Sequence, residues 1–253
     1  MLILLPPSET KAAGGDGPAL DLGALTFPEL TAPRAALIDD LADLSLDVNA
    51  ARPRLFAGPS KDAEIAQNVY LRTSATRPAL ERYTGVLYDA LDVTGMTAVQ
   101  RSRADKRLVV TSAAFGLVRA SDRIPGYRCS NCARLPTVGT PERYWRSFLP
   151  GVVAGWDDYV VDLRSASYAS FFAVPGALTA RVVTEMPDGS RKVVSHFSKF
   201  HKGLLARALA VSRAEIDGRA AVLRVARTAG LRIEPLGRNA VQIVTDPVGR
   251  RAG

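Results

Sequence analysis

The chain has 253 residues, 47% of them hydrophobic and 23% charged, enough for one large or two small globular domains around a buried core and unlike a disordered, collagen-like or coiled-coil chain. The apolar start Met1–Leu5 runs into Pro6 and Pro7, too short for a secretory signal, and no stretch approaches the roughly 18 apolar residues of a membrane span. A cytoplasmic protein without a membrane partner is therefore expected. Cys129 and Cys132 are the only cysteines and there are two histidines, so no disulfide framework, metal site or cofactor is expected.

Leu2–Leu5 reads as a buried strand. Leu37, Leu41, Leu44 and Val48 recur at helical spacing and predict a helix over 34–48, with Asp39, Asp40, Asp43 and Asp47 mostly outward. Further helices are predicted over 62–74 and 81–91, and a central strand over Leu108–Ser112. Tyr159–Leu163 reads as another strand. Arg181–Thr184 and Lys192–Phe197 flank Pro187-Asp188-Gly189 and predict a β-hairpin. Lys199–Val211 should be helical. Ser212 with Glu215 has the form of a capping box, opening a last long helix that Gly230 would close. Val241–Val244 is a late strand. No Pro- or Gly-rich linker divides the chain, so one mixed α/β domain over 1–253 is expected.

The formal net charge is +8. Basic residues are in excess over 101–150 and 191–253 and acidic residues over 1–100 and 151–190. If the basic blocks converge, they form a cationic cleft suited to a nucleic-acid backbone or a nucleotide. Arginine makes up most of the positive charge, a bias that a GC-rich genome also produces, so both readings stand.

The segment Leu55-Phe56-Ala57-Gly58-Pro59-Ser60-Lys61 lies between two predicted helices, within a helix-hairpin-helix-like stretch over about 34–75. Such hairpins present backbone N–H groups to a phosphate. Gly58, Ser60 and Lys61 would make the contacts, although Phe56 stands where the first glycine is usual. An ordinary helix–helix turn explains the same residues.

Three polar segments follow strands. After the first come Ser8, Glu9, Thr10 and Lys11; loops at strand ends are where α/β folds carry chemistry. Ser8 and Thr10 could bond an anion, and Lys11 could neutralise it or act as a nucleophile. In Ser112–Arg128, Arg119, Asp122, Tyr127 and Arg128 give more polar convergence than packing needs. Cys129 and Cys132 form a CxxC that is either a redox pair or structural. In His196–Gly203, Lys199 and Lys202 share a helix face with Arg207 further along, and Gly203 implies close approach of a ligand or backbone.

In this order the segments resemble the YaaA family of peroxide stress proteins over nearly the whole chain. MLILLPPSETK resembles that family's opening strand and loop, YTGVLYDAL its Gly-x-Val-Tyr helix, and SAAFGLVRASDRIPGYR its Ser-Gly-Leu-Tyr-Gly-Val-Leu-Arg-Pro-x-Asp-x-Ile-x-x-Tyr-Arg signature. YWRSFLP, VVDLRSASY and SHFSKFHKGLLAR resemble its remaining blocks. The resemblance implies a cytoplasmic, mixed α/β single domain with a basic cleft, a helix-hairpin-helix element, and binding of duplex DNA with weak sequence preference in protection from hydrogen peroxide. The sequence departs from the family pattern at Ala113-Ala114, Ala120, Ser167 and Cys129–Cys132. These changes suit a specialised paralogue, so the rival expectation is an enzyme on a nucleobase, nucleoside or nucleotide. There Lys11, Lys199 or Lys202 would be nucleophile or clamp, with Tyr127, Arg128 and Asp122 orienting the substrate. Both readings require Ser8, Lys11, Tyr127, Arg128, Lys199 and Lys202 to share one cleft.

Overall fold

The computed structural model describes residues 1–193 and 198–246. Every side chain of the first strand, β1 (Leu2–Leu5), is buried, as expected of a strand covered on both faces. Thr31–Leu44 forms α1 and Val48–Arg54 forms α2, so the predicted helix over 34–48 is two helices. Asp47 breaks it by capping α2, its carboxylate accepting from Asn49 and Ala50 N–H. Asp40 faces inward instead of outward and accepts the Thr137 and Val138 N–H groups.

The predicted helix over 62–74 shortens to α3 (Asp62–Ala66), followed by a 3-10 turn over Gln67–Tyr70. After the short β2 (Arg77–Pro78), the predicted helix over 81–91 splits into α4 (Ala79–Arg82) and α5 (Val86–Leu91). Gly85 separates them at φ +96°, a backbone conformation outside the helix. Then follow α6 (Ala98–Arg107), β3 (Leu108–Ser112), β4 (Gly116–Arg119) and β5 (Arg123–Ile124). The chain continues through α7 (Pro141–Trp145), α8 (Leu149–Val153), β6 (Val160–Asp162) and α9 (Ala166–Ala169).

The predicted hairpin is present as β7 (Leu178–Glu185) against β8 (Arg191–Val193), paired antiparallel through Thr184 and Lys192, with Gly189 at φ +79° in the turn. The part of its second strand beyond Val193, with His196 and Phe197, lies outside the described residues. Ser198–Val211 forms α10. The capping box at Ser212 does not form: Ser212 Oγ accepts from Ala214 N–H in a local turn, and α11 begins only at Arg219 after Gly218. Gly230 does end α11, at φ +83°. β9 (Ile233–Leu236) and β10 (Ala240–Thr245) complete the fold.

The strands form a mixed sheet in the order β4-β3-β1-β6-β7-β10-β9, with β8 on β7, while β2 and β5 make a separate two-stranded piece. The strands β3, β1, β6, β7 and β10 run parallel to one another. One buried cluster from Leu2 to Ile243 fills both faces, so this is a single compact mixed α/β fold. From β1 the chain proceeds to β3 on one side, whereas from β6 it proceeds to β7 on the other. The loops leaving the carboxyl ends of β1 and β6 therefore diverge, which opens a crevice between them.

Candidate functional site

The crevice is a cleft of about 550 Å³. One wall is the loop after β1, Pro6–Thr10, with Thr84–Tyr88 at the start of α5; the other is the loop after β6 with Tyr168 and the first turn of α10, which brings Ser198, Lys199 and Lys202. Two glycines set its shape. At Gly85 a Cβ would lie 3.2 Å from Thr10 Oγ1 and 3.3 Å from Ser8 Oγ, so glycine lets the two parts of the first wall meet. At Gly203 a Cβ would collide with the Leu87 carbonyl oxygen and crowd Ala90. Gly203 therefore serves backbone approach of α10 to α5, one of the two uses expected of it.

Tyr88 Oη donates to the Pro6 carbonyl at 2.8 Å and holds the first loop. The second loop hangs on Arg164, a buried side chain paired in two hydrogen bonds with Asp162 at 2.9 and 2.6 Å and donating to the Tyr168 and Phe172 carbonyls. Such a buried, fully bonded pair fixes geometry more than it adds stability.

The two lysines of α10 sit differently. Lys202 Nζ donates to the Leu163 and Arg164 carbonyls at 3.3 and 3.1 Å, and burial lowers its pKa, with Asp162 opposing. Lys199 is exposed. Among the described residues neither has a carboxylate within ion-pair distance, and Lys202 Nζ meets no acceptor among them beyond those two carbonyls.

Lys11 lies against the same first wall, its Nζ donating to the Ser8 and Glu9 carbonyls at 3.1 and 3.4 Å and standing 4.1 Å from the centre of the Tyr127 ring. Burial holds its ammonium down from 10.5 to about 8, although nearby Glu9 favours the charge. The Tyr127 hydroxyl is turned inward, 2.9 Å from both Ser112 Oγ and Tyr83 Oη. Tyr127 thus meets Lys11 with its ring face and sends its polar atom into the core.

Arg128 connects the cleft to the turn between α2 and α3. Its guanidinium lies 3.1 Å from a Glu9 carboxylate oxygen and 3.7 Å from Glu64, and Glu64 pairs with Lys61 at 2.6 Å. Buried Asn68 clamps the Arg128 backbone from both sides, accepting its N–H at 2.8 Å and donating to its carbonyl at 3.0 Å.

The connection between α2 and α3 is short. Phe56, in the position where glycine is usual, has φ +50° and is 52% exposed. This left-handed conformation is held by a residue that adopts it at a cost. The Arg134 guanidinium stands 5.3 Å from the Phe56 ring centre. Gly58 is extended and has open space on its Cβ side, and Ser60 is exposed.

Other predicted site residues lie elsewhere. Arg119 pairs in register with Val109 near the amino end of β3, away from the cleft, and donates to the Lys106 carbonyl. Asp122 is occupied by Thr26 N–H and Oγ1 and by Arg119 N–H. Arg207 donates to the Leu91, Asp92 and Gly95 carbonyls. Cys129 is a buried free thiol and Cys132 an exposed one. Burial pushes Cys129 up to about 12, outweighing Lys11 and Arg128, which makes this thiol a poor redox partner. Sequence reasoning did not single out Thr84, Gly85, Val86, Ser165 or Tyr168 as cleft residues; only the glycine in YTGVLY gave a local signal.

Among the described residues no helix is long and apolar enough to cross a membrane. Fold and cleft define an α/β protein with an open crevice at a switch of strand order. Residues 1–235 match the family model described as peroxide stress protein YaaA, and the chain belongs to that family. It is 47% identical over 238 residues to a UPF0246 protein of Corynebacterium efficiens, covering 92% of this chain and 95% of that one. It is 42% identical over 239 residues to one of Streptomyces coelicolor, covering 92% of each, and 31% identical over 272 residues to one of Cereibacter sphaeroides, covering 100% of each. Membership points to a role connected with peroxide stress.

Proposed function

We propose that this protein acts in the cytoplasm during peroxide stress by binding DNA through phosphate contacts at the helix-hairpin-helix-like element. The observation that carries this reading is the left-handed Phe56 at an exposed turn, with Arg134 on its ring and the open Gly58 backbone beside it. An uncovered aromatic with an arginine stack suits nucleic acid, and an unobstructed backbone lets a phosphate approach. Lys61 and Ser60 add polar contacts on the same turn.

Gel shifts over a salt series test it. Affinity for duplex DNA falls steeply with salt, and Lys61→Ala weakens binding to all sequences alike while flattening the salt slope by about one unit. Phe56→Gly, which keeps φ +50° without strain, separates turn geometry from stacking. Absence of binding even at the lowest salt would falsify the reading.

A second reading, an enzyme or binding protein for a nucleotide-like small molecule, is supported by the cleft itself. Its volume falls within the roughly 300–1,000 Å³ of small-ligand pockets, too small for a duplex. Here Lys199 and Lys202 hold charge, while Lys11, near 8, is an amine suited to moving a proton behind the first wall, outside the cleft lining.

A further inference from the structure

We propose that the cleft between the β1 and β6 loops seats a single nucleotide, its phosphate against Lys199 and Lys202 and its base toward Glu9 and Asn131. The inference rests on the second reading above and names the ligand's class and orientation.

The phosphate end follows from the charge inventory. Lys199 and Lys202 reach the cleft from successive positions on one face of α10, with no carboxylate pairing either among the described residues. Lys202 uses two N–H groups on backbone carbonyls and has no further acceptor for the third among the described residues. Ser165 and Ser167, 3.1 Å apart at their hydroxyls, line the same wall, as does Ser198 in the first turn of α10. Hydroxyls and ammonium groups together offer donors to several oxygens of one tetrahedral anion. The start of a 14-residue helix adds its own positive end.

The flat, apolar part of the ligand follows from the rest of the lining. Pro6, Pro7, Val86, Leu163 and Tyr168 all face the cleft, and Val86 is left 51% exposed. An inorganic anion leaves these surfaces wet, whereas a heterocycle covers them. Glu9 and Asn131, on other loops, supply the polar edge. A carboxylate accepts N–H groups, which the amino and ring N–H edges of nucleobases provide. Arg128 pairs with Glu9 at 3.1 Å and so keeps it placed.

The nucleotide can arrive free or as an unpaired unit of a strand. The chain of charges Lys61, Glu64, Arg128 and Glu9 runs from the hairpin to the cleft, so a strand held at the hairpin is within reach of a pocket that admits one unpaired nucleotide.

Titration calorimetry with the full chain tests this, using adenosine 5′-monophosphate, cytidine 5′-monophosphate, adenosine and inorganic phosphate, alongside a duplex with and without one unpaired nucleotide. The variants Lys199→Glu and Val86→Asp change exposed positions, so their folding is preserved and is checked by circular dichroism. At least one monophosphate should bind about tenfold more tightly than adenosine or phosphate. Each variant should weaken it by about tenfold or more, and Glu9→Gln should weaken the monophosphate while leaving phosphate unchanged. If only the duplex with an unpaired nucleotide binds in a Lys199- and Val86-dependent way, the inference stands with the strand as source. If phosphate binds as tightly as every monophosphate and Glu9→Gln changes nothing, the nucleotide assignment is overturned while an anion site in the cleft survives. If the cleft variants alter no binding at all, both the inference and the small-molecule reading fall, and hairpin-dependent DNA binding remains separately measurable.

Discussion

The two ends of the central sheet each carry a cavity, and they differ in what their charges are doing. At the amino ends a space of about 580 Å³ is lined by Asp157, Asp158, Glu215 and Asp217 with Arg107 and Met1. Its cations are already used: the Met1 ammonium bonds Asp158 at 2.6 Å, and Arg107 donates to the carbonyls of Leu209, Ser212 and Ala214. At the carboxyl ends the cleft is slightly smaller, yet Lys199 and Lys202 meet no carboxylate partner among the described residues. The lesson is that volume does not choose the site. Charge that meets no carboxylate among the described residues does, because a half-buried cation such as Lys202 is costly away from a counterion unless a ligand or water completes it.

The largest effect should come from Gly203. Gly203→Val drives a side chain into the Leu87 carbonyl, parting α10 from α5, and should destabilise the protein by about 2–4 kcal/mol in urea unfolding. It should abolish ligand binding in the cleft while the paired charges at the amino end keep their contacts. Preservation of both stability and cleft binding would show that the α5–α10 junction does not define the site.

Asn68→Ala comes next. It strips Arg128 N–H and carbonyl of their buried partners and should cost about 2–3 kcal/mol, with Arg128 no longer aligned between Glu9 and Glu64. Hydrogen exchange at the Arg128 amide reads the loss directly.

Lys11 gives a smaller, pH-dependent effect. Its folded pKa, near 8, lies below the ordinary 10.5, so between these values the unfolded chain binds more protons than the folded one. The penalty for its charge is present in full below about pH 8 and disappears as pH rises toward 10.5. Lys11→Met should therefore stabilise the protein relative to wild type more at pH 7 than at pH 10, and amine labelling of Lys11 should show a midpoint near 8. An equal stability difference at both pH values contradicts the burial argument.

The smallest effect belongs to the amino end. Asp158→Asn removes an ion pair whose carboxylate is 45% exposed, and unfolding should shift by less than about 1 kcal/mol with no change in nucleotide binding. A loss of binding there would invert the comparison of the two ends.

Much of the architecture was written in local patterns. The short apolar runs at Leu2–Leu5 and Leu108–Val110 read as strands and are buried on both faces. The helical stripe of α10 and the turn at Pro187-Asp188-Gly189 depend on neighbours in sequence, and they formed where periodicity put them. Lys199, Lys202 and Ser8 were also readable as cleft candidates, because polar residues clustered where strands end.

Tertiary contacts decided the rest. Asp47, Gly85 and Gly218 cut or delayed helices whose apolar spacing looked continuous, since capping and left-handed backbone outrank periodicity once neighbouring segments dock. Nothing local distinguishes Arg119, Asp122 and Arg207, which bond backbone groups away from the cleft, from Lys199 and Lys202, which line it. Composition and order of segments fixed a mixed α/β fold with cationic loops. Only the strand order, sending the β1 and β6 connections to opposite sides, opened a crevice and determined which cations stand in it without a carboxylate among the described residues.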